Sequence, residues 1–243
     1  MSASYQKFDQ TYLVDALKKL NNFGDKTVHG KFVGVTQLES LDDDFCMMLD
    51  DVGVRAIRFN LARGVTIDVN EISCFANHLH QRFGWHAEFY LDTSLLHEDK
   101  IFMELLCTLP TTISIDHCGL TARGQTALLE LMQRRHKEGR LTYVKLTGFG
   151  RYQGTQQELE TVLEALLTLY PRYVMFATDL PCTRAQRPYM PADVELLLQC
   201  LANVYRDIAE QQVVIEQVFY RNAMTLYSPD VSKKPAERST QVC

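Results

Sequence analysis

The chain has 243 residues, a size that fits one α/β domain, and 46% of them are hydrophobic, enough to fill a core. A net charge of −5 leaves no basic stripe to neutralise phosphates and excludes nucleic acid as the expected partner. No apolar run reaches transmembrane length and the N-terminus lacks signal-peptide character, which excludes a membrane span. Seven cysteines without CxxC spacing argue against a disulfide framework, so a cytoplasmic protein is expected.

The first element is an amphipathic helix over Asp9–Leu20, with Tyr12, Leu13, Ala16, Leu17 and Leu20 at helical spacing. A strand over Lys31–Leu38 follows, then a helix over Leu41–Val52 with Ser40 as its expected cap. The second strand is Val54–Ala62, and the helix after it, Asp68–Phe83, opens on an acidic cap. That helix carries His78-Leu79-His80, an HxH pair. Residues two apart on a helix point away from each other, so these two are read as surface or packing histidines rather than metal ligands. Strand His86–Asp92, helix Ser94–Leu109, strand Thr111–Gly119 and helix Ala122–Glu138 come next. Strand Tyr143–Gly150, helix Thr155–Tyr170, strand Tyr173–Leu180 and helices Ala192–Glu210 and Val213–Tyr227 complete the ordered region. Residues 1–227 are expected to form one domain, and 228–243, rich in Pro, Lys, Ser and Glu, a disordered tail.

The strands look largely continuous in hydrophobicity and alternate with helices at the spacing of a βα unit, which predicts a parallel sheet covered by helices. No GxGxxG or P-loop follows the first strand, so nucleotide binding loses its main support. Polar residues at nearly every strand end favour a (β/α) barrel, whose active sites lie at the carboxyl ends of the strands. Those ends offer Arg58, Asn60 and Arg63, then Tyr90 and Asp92, then Asp116-His117-Cys118-Gly119. Lys145, Thr147 and Arg151 follow, and the last strand gives Thr178-Asp179 before Pro181. Three arginines with a lysine and a histidine predict a strongly cationic pocket for a carboxylated small molecule. Asp179 is the anion left among them, placed to take a proton from water, with His117 polarising a carbonyl or sharing the proton. Arg63 is equally well read as an ion-pair partner, Tyr90 as a core tyrosine and Lys145 as structural. Cys118 and Cys182 flank the two best candidates and are read chiefly as small buried residues.

With these residues collected, the chain resembles the amidohydrolase-2 (amidohydrolase-related) family, and within it the 2-pyrone-4,6-dicarboxylate lactonase-like members. The resemblance runs from Asp9-Gln10-Thr11-Tyr12-Leu13-Val14-Asp15-Ala16-Leu17 through Gly53-Val54-Arg55-Ala56-Ile57-Arg58-Phe59-Asn60 and Trp85-His86-Ala87-Glu88-Phe89-Tyr90-Leu91-Asp92. It continues in Ile115-Asp116-His117-Cys118-Gly119, Val144-Lys145-Leu146-Thr147-Gly148, Ala177-Thr178-Asp179-Leu180-Pro181 and Asn222-Ala223-Met224-Thr225-Leu226-Tyr227. It implies a TIM-type barrel of the metal-dependent hydrolase type in which Asp179 activates water and His117 is its partner. Arg58, Arg63, Arg151 and Tyr90 would hold the substrate carboxylates. The lactonase-like members work without a metal, and Tyr90 stands where metal-binding relatives tend to have histidine, so no cofactor is expected. The family begins with two further strands, the first ending in HxH. The six strands recognised here correspond to the rest, an N-terminally incomplete barrel whose exposed edges need covering, by a second copy or otherwise. Leu180 and Cys182 replace the family's usual Trp and His. Two other readings stay open: a catalytically impaired binding protein that keeps the cationic pocket, and a zinc-dependent decarboxylase-type relative.

Overall fold

The computed structural model describes residues 8–22, 32–63, 68–180, 185 and 187–227. All six expected strands are present as β1 (Gly34–Thr36), β2 (Val54–Asn60), β3 (His86–Tyr90), β4 (Ile113–Ile115), β5 (Thr142–Leu146) and β6 (Val174–Phe176). They form one parallel sheet in the order β1-β2-β3-β4-β5-β6, each strand paired with its neighbour in sequence. Parallel neighbours need a crossover, and helices supply it between every pair. These are α2 (Asp43–Val52), α3 (Val69–Phe83), α4 (Leu95–Glu98) with α5 (Lys100–Thr108), α6 (Gln125–Lys137) and α7 (Gln156–Leu169). Helix α1 (Thr11–Asn22) precedes the sheet; α8 (Pro191–Val204), α9 (Ile208–Glu216) and α10 (Asn222–Tyr227) follow it.

The strands are not uniformly apolar. They alternate, and the alternation builds the site. Ile57, Phe59, Ala87, Phe89, Ile113, Ile115, Val144, Leu146 and Val174 belong to the core shared with the helices. The opposite face carries Arg58, Asn60, His86, Glu88, Tyr90, Ser114, Lys145 and Met175, all buried. The sequence hides this pattern because both faces are covered, one by helices and one by the inside of the curved sheet.

Local chemistry sets the helix ends. Asp42, not Ser40, caps α2, its carboxylate accepting from the backbone N–H of Asp44 and Phe45. Asp68 caps α3 as expected, accepting from Asn70. Thr155 and Glu158 form a reciprocal capping box at α7. Two helices expected to be continuous are broken where an aspartate starts a new one. Asp99 caps α5 at Phe102, and Asp207 caps α9 at Glu210. Among the described residues Cys46, Cys107, Cys118 and Cys200 are free and buried. Among the described residues no helix is long and apolar enough to cross a membrane. The expected tail, 228–243, lies outside the described residues.

Side-chain amides tie down the ends of the sheet. Asn21 of α1 brackets the backbone of Phe32 just before β1, donating to its carbonyl and accepting from its N–H. Just before β6 the Tyr173 carbonyl takes its hydrogen bond from Val144 of β5, so the next carbonyl, on Val174, points away from β5. The Asn222 amide meets it at 2.5 Å and reaches the Pro171 carbonyl at 2.9 Å. A π-turn over Gln217–Arg221 delivers Asn222, and Gln217 bonds its amide oxygen. Replacing Asn222 by Ala strips the donor from two carbonyls beneath a residue that is 1% exposed. The expected loss is about 1–3 kcal/mol in urea unfolding. An unchanged transition would contradict this role for Asn222.

Candidate active site at the carboxyl ends of the strands

Backbone strain marks the site. After β4 the chain turns through His117, Cys118, Gly119 and Leu120 with φ of 53, 54, 76 and 68°, a run of left-handed residues of which only one is glycine. Among the described residues the other non-glycine with positive φ is Asp179, at 57°, just after β6. Each such residue costs on the order of 1 kcal/mol or more and persists only where the surroundings enforce it, a pattern concentrated at functional sites. Here the surroundings are visible. The Gly119 carbonyl accepts from both the backbone N–H and the hydroxyl of Thr93, and the Leu120 carbonyl accepts from Gln153. Gly148, at φ 61°, leaves room for the histidine ring; a β-carbon there would lie 2.4 Å from His117 Nδ1.

Tyr90, at the end of β3, is the hub. The Arg58 guanidinium lies 5.3 Å from its ring centre and the His117 ring packs edge-on at 5.1 Å. Its hydroxyl hydrogen-bonds Arg151, whose Nε donates to Asp179 Oδ2 at 2.6 Å. Both side chains of that ion pair are more than nine-tenths buried. Burial opposes the Arg151 charge, but Asp179 outweighs it and holds the guanidinium above its usual range. Burial also pushes His117 down to about 4, so the imidazole is neutral at pH 7. Its Nδ1 is buried with no hydrogen-bond partner among the described residues. An orphaned N–H costs more than an orphaned lone pair, so the neutral ring keeps its proton on Nε2. His117 is therefore a donor.

Below this rim the bore of the sheet is filled with charge. Lys145 Nζ sits 2.6 Å from Glu88 and 3.1 Å from Asp116, and Arg58 contacts Asp116 at 2.5 Å and Glu88 at 3.7 Å. The hydroxyl of Tyr227, on α10, donates to Glu88 at 2.5 Å, and His86 Nε2 lies 3.3 Å away. Burial alone would neutralise Glu88, yet Lys145, His86 and Arg58 hold its carboxyl well below the usual range. Lys145 is likewise driven up by Asp116 and Glu88 against the effect of burial.

These contacts revise the expected electrostatics. Among the described side chains Arg58, Lys145 and Arg151 face Glu88, Asp116 and Asp179, so these charges balance and Asp179 is not the sole anion. Lys145 projects into the bore. Arg63 ends the short turn Leu61–Arg63, and its side chain lies outside the described residues, as do Pro181 and Cys182. Cys118 is buried and its thiol pushed up to about 12, which suits a packing residue and not a nucleophile. His78 and His80 lie on α3 as expected, with His78 paired to Asp43. Among the described residues no group of three or more His, Cys, Asp or Glu is placed to hold a metal. The two carboxylates of the bore enclose an ammonium instead, a donor set that does not suit zinc. Glu88 and Tyr227 were not singled out in the sequence. His86, Glu88 and Tyr90, at alternate positions of one strand, are the signal for the first.

Residues 39–228 match the family model described as Amidohydrolase. A 2-pyrone-4,6-dicarboxylate hydrolase of Comamonas testosteroni is 24% identical over 239 aligned residues, covering 91% of this chain and 72% of its own. A probable 2-pyrone-4,6-dicarboxylic acid hydrolase of Acinetobacter baumannii, solved with citric acid bound, superposes with a TM-score of 0.68 at 14% identity. The match covers 93% of this chain and 81% of that one.

The neutral His117 predicts a pH dependence of stability. Below pH 6.5 the unfolded chain protonates this imidazole, whereas the folded chain does so only near 4. The unfolded state then binds more protons, and stability falls as pH drops through that window. His117→Gln removes this contribution, on the order of 3 kcal/mol between pH 7 and 4. His86, also lowered by burial, keeps a part of the slope. Urea unfolding of both proteins at pH 7 and 4.5 checks this, and equal slopes would contradict it.

Proposed function

The chain belongs to the amidohydrolase family of hydrolases, and on that premise we propose that it opens a small carboxylated lactone by water attack on the ring carbonyl. The observation that carries the reading is the pairing of two strained residues, His117 and Asp179, at the ends of β4 and β6, with Tyr90 and Arg151 between them. The substrate class is supported by the names of the two similar proteins, both dicarboxylate hydrolases.

In this mechanism Arg58, Arg63 and Arg151 hold the substrate carboxylates, with Tyr90 bracing the two described guanidinium groups. Arginine forks match a carboxylate in two-point fashion and fix the plane of the ring. Neutral His117 donates from Nε2 to the lactone carbonyl, and the bond strengthens as negative charge develops on that oxygen. Asp179 takes one proton from the attacking water as the new C–O bond forms. Collapse of the tetrahedral species breaks the ring C–O bond, and the proton on Asp179 passes to the leaving oxygen. The chain's own residues supply every proton movement, so no bound metal enters these steps.

Asp179→Asn keeps the size of the side chain and removes the base. It is expected to lower kcat on 2-pyrone-4,6-dicarboxylate by about 100-fold or more, the usual share of general-base catalysis. Binding of pyridine-2,4-dicarboxylate, followed by calorimetry, is expected to survive. Turnover at the wild-type rate would remove Asp179 from the mechanism.

A further inference from the structure

We infer that Arg151 determines specificity by masking Asp179 until a carboxylate of the substrate takes the aspartate's place on the guanidinium; the inference rests on the lactone-hydrolase reading above. The two described arginines of the site differ in what they already hold. Arg58 faces Asp116 and Glu88, fixed residues of the bore that take no part in the proposed chemistry. Arg151 faces the base itself, Nε to Oδ2 at 2.6 Å. A charge-assisted bond of that length is among the stronger ones, and the Oδ2 engaged in it is not open to the attacking water. Both side chains are more than nine-tenths buried, so solvent screens the pair little.

The exchange has an energetic logic that discriminates between substrates. A substrate carboxylate allows Arg151 to trade one anion for another, so no buried guanidinium is left bare. The released Asp179 oxygen then accepts from the attacking water. A neutral lactone brings no anion to trade. Unmasking the base for it strands a buried cation, and removing one partner of a buried pair is costly. The discrimination therefore falls on kcat as well as on KM. The geometry permits the exchange without moving the sheet. Arg151 ends the short turn Phe149–Arg151, and Asp179 lies beyond the end of β6 at Phe176, so both side chains sit on connecting turns.

The test compares wild type and Arg151→Gln on two substrates, 2-pyrone-4,6-dicarboxylate and unsubstituted 2-pyrone. A crystal structure of the wild-type protein with pyridine-2,4-dicarboxylate accompanies the kinetics. Masking predicts an inversion. The variant loses activity on the dicarboxylate but gains about 10-fold in kcat on the neutral lactone, the scale of one lost hydrogen bond to a charged group. A residue that only clamps the carboxylate would leave the neutral lactone unchanged, and that result would overturn the inference. In the crystal, Arg151 is expected on a ligand carboxylate with its contact to Asp179 broken. A bound dicarboxylate with the ion pair intact, or no dicarboxylate at Arg151, would also overturn it. The two readings fail separately. A pair that opens on the ligand in a protein without hydrolase activity keeps the masking and removes the hydrolase reading. An intact pair in a protein that turns over removes the masking alone.

Discussion

The balance of charge inside the sheet is the constraint on which the rest of the structure depends. Two cations and two carboxylates (Arg58, Lys145, Glu88 and Asp116) occupy space that many barrels fill with branched aliphatic side chains. None of them is tolerable there alone, because a single buried charge costs several kcal/mol. Together they compensate one another, and the Tyr227 hydroxyl adds a bond to Glu88. The alternation of the strands follows from this, with one face given to helices and the other to ions. So does the placing of Arg58, which is held from below by carboxylates and from above by the ring of Tyr90.

Above that layer the molecule stores strain. His117 and Asp179 both sit in left-handed backbone conformations, hydrogen bonds to the Gly119 and Leu120 carbonyls anchor the turn of the first, and Gly148 gives the imidazole the space it occupies. The result is a neutral histidine aimed as a donor and an aspartate paired with an arginine. Strain and burial work in one direction here. They fix the histidine before any ligand arrives, while the aspartate stays on its arginine.

Much of this was legible in the sequence, and what was missed has physical causes. All six strands, the barrel-like order and the polar strand ends could be read because βα spacing and β-branched runs are local signals. His117, Asp179, Tyr90, Arg58 and Arg151 fall together in the fold as the strand-end reading placed them. The caps at Asp42, Asp99 and Asp207 were harder, since several acidic and hydroxyl residues compete locally and packing chooses among them. The carboxylates of the bore were overlooked because Glu88 lies two residues inside its strand and Asp116 looked like one polar strand end among many. Their pairing with Lys145 spans separate strands, and no spacing in the sequence records it. The ion pair of Asp179 with Arg151 is likewise a contact between two loops far apart in the chain.

The most direct test of the central claim is a single turnover of 2-pyrone-4,6-dicarboxylate in water enriched in oxygen-18. Attack by water that Asp179 activates predicts one heavy oxygen in the newly formed carboxylate of the product, already present in the first turnover. An unlabelled first product, with the heavy oxygen retained in the protein, would mean that Asp179 itself attacks the carbonyl. That result, or the absence of any ring opening, would contradict the account.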